Sequence, residues 1–134
     1  MTNDPPANQE TILLVEDDAS IRMPIAQYLR DCGYKVIETL NANEAMTVLL
    51  DEETVIDVVL SDVNMPTFME AFGLSKRLRE QRPGLDMIWA ATVQRAVHAV
   101  RELCEDGPLP KQYEPEAVLH HIRCLLGTRK GRKS

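Results

Sequence analysis

A chain of 134 residues with 44% hydrophobic content suits one domain with a proper core, and 27% charged residues with evenly spread apolar positions argue against disorder. The net charge of −6 argues against general nucleic-acid binding, which wants a basic face. No apolar run approaches the roughly 20 residues that span a bilayer, and Met-Thr-Asn-Asp-Pro-Pro lacks the basic and apolar regions of a signal peptide, so a cytoplasmic protein without a membrane partner is expected.

In chain order, residues 1–10 are polar, contain Pro5-Pro6 and read as a flexible tail. Ile12 to Val15 is a short apolar run ending in Glu16-Asp17-Asp18, the pattern of a strand buried on both faces. A helix is predicted over 19–32, with Ile21, Ile25, Tyr28, Leu29 and Cys32 near one face. Pro24 lies inside it and removes a hydrogen bond, so a kink or a late start is expected. Gly33 stops that helix. Lys35 to Glu38 is the second strand, and a short helix over 43–50 carries Ala45, Met46, Leu49 and Leu50. The third strand covers 57–61 and runs into Asp62-Val63-Asn64-Met65-Pro66.

The next helix is predicted over 69–81, burying Ala71, Leu74 and Leu78 and ending before Arg82-Pro83-Gly84. Met87 to Ala91 is the fourth strand. Residues 93–105 show the cleanest helical period, with Val93, Ala96, Val97, Val100, Leu103 and Cys104 on one side. A fifth strand is expected at 108–111, where Pro108 and Pro110 both lose N–H groups on one side and so demand a sheet edge. Pro115 to Leu126 is the last helix. Alternating strands and helices predict a single doubly wound, flavodoxin-like α/β domain over 11–127, with five parallel strands in the order 2-1-3-4-5 and a basic tail over 128–134. That tail reads as a solubilising end. Cys32, Cys104 and Cys124 are odd in number and widely spaced, and are read as reduced core thiols.

The chemistry sits at one sheet edge. Parallel strands end together, so Glu16, Asp17 and Asp62 converge at the carboxyl edge, where open α/β sheets bind ligands. Three crowded carboxylates repel unless they share a cation. An all-oxygen donor set suits a hard divalent ion, and Mg²⁺ where phosphate is also handled.

Ile-Leu-Leu-Val-Glu-Asp-Asp (12–18), Ser-Asp-Val-Asn-Met-Pro (61–66) and Pro-Lys followed by Gln-Tyr-Glu-Pro-Glu (110–116) resemble the receiver domains of two-component response regulators, the CheY-like family. The resemblance covers about 11–127. It implies that Asp62 accepts a phosphoryl group from a phosphohistidine, forming an acyl phosphate. It implies further that Glu16 and Asp17 hold Mg²⁺ together with Asp62, with Asp17 the direct ligand and the Asn64 carbonyl adding an oxygen. Lys111 would neutralise charge on the phosphoryl oxygens. The implied partners are a sensor histidine kinase or a histidine phosphotransfer protein, and an unidentified downstream protein. The implied role is signalling, not enzymatic, and the short end after residue 127 suggests a stand-alone receiver.

The chain departs from that family in its switch residues. Ala91 stands where receivers carry Ser or Thr, unless the register shifts by one to Thr92. Pro108 replaces the aromatic residue of the fifth strand, and Gln112 stands where a proline usually follows the lysine. A cis bond before a non-proline costs roughly 2.5–4 kcal/mol, so a trans bond is expected there. The 66–71 loop resembles a longer Pro-Gly-Gly-Met-Asp-Gly variant without its glycines. These changes support an alternative function, a receiver-like binding module that works without phosphorylation. A haloacid-dehalogenase-like phosphatase is disfavoured, because Asp-x-Asp on the first strand and a cap insertion are both missing. Asp18 reads as a helix cap and His120 and His121 as surface histidines, and His98 is given no role.

Overall fold

The computed structural model describes residues 10–91 and 93–105. Four parallel strands, β1 (Thr11–Val15), β2 (Lys35–Thr39), β3 (Val58–Ser61) and β4 (Asp86–Trp89), form one sheet in the order β2-β1-β3-β4. This is the doubly wound, flavodoxin-like arrangement expected. The central strands are β1 and β3. All their residues are buried, which is why they appear in sequence as unbroken apolar runs. The expected fifth strand at 108–111 and last helix at 115–126 lie outside the described residues.

Helix α1 (Ala19–Asp31) begins where Asp18 Oδ1 accepts from the Ser20 N–H at 2.9 Å, so the third acidic residue is indeed a cap. The helix starts on time and runs through Pro24. The Ser20 carbonyl that Pro24 cannot serve belongs to an exposed residue, where water can replace the lost donor. Helix α2 (Ala42–Leu50) is capped by Asn41, whose Oδ1 accepts from the Glu44 N–H.

The single helix expected over 69–81 is instead two. Helix α3 (Met65–Ala71) begins four residues earlier, with Pro66 in its first turn and Asn64 as its cap. It ends at Phe72 and Gly73, and α4 (Ser75–Gln81) follows. Gly73 has φ +66°, a left-handed conformation that reverses the chain between the two helices. The Gly73 N–H returns to the Glu70 carbonyl and the Leu74 N–H to the Met69 carbonyl. The break also changes which residues pack. Leu78 is buried as expected, but Ala71 is exposed, and Met65 and Met69 fill the core in its place.

Each face of the sheet carries its own apolar layer. One face packs Leu13, Val15 and Val59 against Ala45, Met46 and Leu49 of α2, Met65 and Met69 of α3, and Leu78 of α4. The other packs Ile12, Leu14, Val58 and Leu60 against Ile21, Ile25, Tyr28 and Leu29 of α1, with Ala99 and Val100 from α5 (Val93–Glu105). Helix α5 therefore lies beside α1. The Tyr34 hydroxyl donates to the Leu103 carbonyl, and Cys32 and Cys104 are joined by a disulfide with their Cα atoms 5.3 Å apart.

That bond corrects the reading of these cysteines as reduced thiols. Their burial was foreseen, at 0% and 8% exposed. Their pairing was not, because 72 residues separate them and only the placement of α5 against α1 brings them within bonding range. Cys124 lies outside the described residues.

Candidate functional site

The site is built by strand register. In the β1–β3 ladder Val15 pairs with Ser61, so the next residues, Glu16 and Asp62, leave the sheet side by side. The Asp62 N–H still reaches the Val15 carbonyl at 3.3 Å, and the Glu16 N–H reaches Thr39 of β2 at 3.0 Å. Both acidic residues thus start from backbone fixed by the sheet. Glu16, Asp17 and Asp62 each bring a carboxylate oxygen to a cluster whose three atoms lie within 4.8 Å of one another. Glu16 is buried, Asp62 half-buried and Asp17 exposed, so the cluster has a floor in the protein and an open mouth. Three carboxylate oxygens at that spacing fit a hard divalent cation, since they supply only oxygen donors.

The loops around the cluster are hydrogen-bonded in place. Glu16 Oε2 accepts from the Asp18 N–H at 3.0 Å, which turns the chain into α1. The Ser61 hydroxyl accepts from the Val63 N–H at 3.0 Å, tightening the turn after Asp62. Asn64 Oδ1 accepts from Thr67 N–H, and the Asn64 carbonyl accepts from Phe68 N–H at 3.0 Å, the first turn of α3. A carbonyl oxygen has two lone pairs, so this bond leaves it room for a second partner.

Among the expected site residues, the structure brings together Glu16, Asp17 and Asp62 and sets Asn64 two residues further on. Lys111, Thr92, Pro108 and Gln112 lie outside the described residues. Ala91 is exposed and directly follows Ala90, whose N–H donates to the Ser61 carbonyl at 2.8 Å. The end of β4 therefore sits beside the Asp62 turn.

Sequence reasoning missed Arg22 and Glu38. Val36 packs on the α1 face, and by strand alternation Glu38 points to the same side. There Arg22 Nε donates to Glu38 Oε1 at 3.1 Å, while Arg22 Nη1 donates to the Glu16 carbonyl at 2.9 Å. Arg30 Nη1 holds the second Glu38 oxygen at 3.1 Å. The only signal in the sequence was the face that Glu38 would take in its strand.

Residues 12–123 match the family model described as the response regulator receiver domain. Similar curated proteins include the response regulator protein FleR of Pseudomonas aeruginosa, 34% identical over 119 residues, covering 87% of this chain and 24% of that protein. The sensor kinase CckA of Brucella abortus is likewise 34% identical over 119 residues, covering 87% of this chain and 12% of that protein. Among solved structures, the chemotaxis response regulator CheY4 of Vibrio cholerae is 26% identical with a TM-score of 0.45, covering 89% of this chain and 100% of that one. A CheY-like receiver domain protein of Methanospirillum hungatei is 25% identical with a TM-score of 0.47, covering 93% and 99%. The chain spans a quarter or less of the length of the curated relatives it matches, from 8% to 24%. No helix among the described residues is long and apolar enough to cross a membrane.

Proposed function

Starting from the fact that this chain belongs to the response regulator receiver family of two-component signalling, we propose that it takes a phosphoryl group onto Asp62 from a phosphohistidine on a sensor kinase or histidine phosphotransfer protein. The observation that carries this reading is the carboxylate cluster of Glu16, Asp17 and Asp62 at the carboxyl edge of the sheet. One Asp62 oxygen attacks phosphorus, the O–P bond forms, the N–P bond to imidazole breaks, and the imidazole leaves with a proton. The product is an acyl phosphate. Glu16 and Asp17, with Asp62 and the Asn64 carbonyl, would hold Mg²⁺, which when bound neutralises charge on the phosphoryl oxygens. The half-buried Asp62 and exposed Asp17 leave the donor a path to the site. Lys111 is assigned the remaining positive charge by its position in the receiver pattern.

Output is through contact with a downstream protein, and the setting proposed is the cytoplasm, where the histidine donors work. A buried disulfide is uncommon in that compartment. A second reading, a binding module that works without phosphorylation, draws its support from Ala91. Incubation with acetyl phosphate and Mg²⁺, followed by mass spectrometry, separates the two. Labelling lost in Asp62→Asn and in EDTA is expected. Labelling that survives either, or no labelling of the unaltered protein, rejects phosphoryl acceptance at Asp62.

A further inference from the structure

The peptide that launches the acidic loop is held from several directions. The Glu16 N–H donates to Thr39, its carbonyl accepts from Arg22 Nη1 at 2.9 Å, and its side chain accepts from the Asp18 N–H. The Glu16 carbonyl and the Asp17 N–H belong to one rigid planar peptide. Fixing that oxygen fixes the plane from which Asp17 and its carboxylate extend. Arg22 is itself fixed, because Glu38 Oε1 takes its Nε and Arg30 takes the other Glu38 oxygen. Its side chain is only 13% exposed, so water competes little for these bonds.

We propose that Arg22 is a positioning residue for the divalent-cation site. It orients the Glu16–Asp17 peptide so that the Asp17 carboxylate faces Glu16 and Asp62, and Glu38 braces it. This inference rests on the reading of those three carboxylates as a Mg²⁺ site. Charge alone makes the opposite prediction. A guanidinium beside an acidic loop repels an incoming cation, so its removal would tighten Mg²⁺ binding if electrostatics dominated. If positioning dominates, removal weakens binding, as loss of groups that orient metal ligands commonly does by about 10–100-fold. The sign of the change therefore separates the two effects. Lysine keeps the charge but lacks the planar fork that serves the Glu16 carbonyl and Glu38 together.

The test is Mg²⁺ titration by isothermal calorimetry on the full chain, for the unaltered protein, Arg22→Met, Arg22→Lys and Glu38→Gln, with melting curves in EDTA. Arg22→Met is expected to weaken Mg²⁺ binding about tenfold, Arg22→Lys to recover only part of that, and Glu38→Gln to weaken it less. A purely structural role would lower the melting temperature in EDTA and leave the Mg²⁺ affinity of the folded protein unchanged. That result overturns the proposal, as does tighter binding in Arg22→Met or full recovery in Arg22→Lys. Unaltered protein that binds no Mg²⁺ removes the metal-site reading and this inference with it, whereas normal binding with unaffected variants overturns this inference alone.

Discussion

Val15 and Ser61 stand level in neighbouring parallel strands, and that register delivers Glu16 and Asp62 to the sheet edge as a pair. The carboxylates are therefore brought together by the strands of the core. A cation that binds only the folded state raises stability by mass action. At ten times its dissociation constant the gain is about 1.4 kcal/mol, or about 5 °C in melting temperature for a domain of this size. Thermal melts with and without Mg²⁺ are expected to show this increase, and Asp17→Asn to abolish it.

Gly73 makes a sharper structural prediction. Its φ of +66° lies where a side chain is disfavoured, yet an added Cβ would meet nothing within 4 Å. The cost of Gly73→Ala is therefore that of the local backbone conformation, about 1 kcal/mol, with no clash against the rest of the fold. Asn tolerates the left-handed region better, so Gly73→Asn is expected to cost less than Gly73→Ala in urea denaturation. Equal losses in the two variants would mean that the backbone handedness is not what matters here.

The Cys32–Cys104 bond is expected to contribute about 4 kcal/mol by the chain-entropy account, given the length of the loop it closes. Urea midpoints should fall by the same amount on reduction and in Cys104→Ser. Reductant should have no effect on that variant. A larger loss in the variant than on reduction would point to packing around Cys104 instead of the cross-link.

The same bond bears on the switch. Helix α5 begins at Val93 and is covalently tied to the end of α1 through Cys104. On the receiver alignment that puts Ala91 and not Thr92 at the hydroxyl position, a bound phosphoryl mimic has few differential contacts through which to move the helix. Beryllium fluoride is expected to shift amide resonances near Glu16, Asp17 and Asp62 strongly and those of residues 95–105 weakly. Comparable shifts across α5 would show that the switch operates by another route.

Much of this was legible because the informative signals were local. Buried central strands show themselves as apolar runs, and the carboxylates that follow them mark the sheet edge, so β1, β3, Glu16, Asp17 and Asp62 could be read directly. The division of α3 from α4 could not, because it depends on the handedness of one residue, Gly73, inside an otherwise continuous helical pattern. Arg22 and Glu38 escaped for a different reason. Their roles come from a contact between α1 and β2, which the sequence signals only through the face Glu38 takes in its strand. The cysteine pairing is the extreme case, since it depends on where α5 packs, which no local pattern encodes.

The disulfide also closes a covalent ring that runs from the end of α1 through β2, α2, β3, α3, α4 and β4 to the end of α5. The exposed turn at Asp51, Glu52 and Glu53 lies within this ring. A protease that cuts there opens the loop without releasing a fragment, so the two pieces stay covalently joined until a reductant is added. Because Glu16 precedes the ring and Asp62 lies within it, the cut would leave both carboxylates on one molecule, joined through sulfur where the peptide chain no longer joins them.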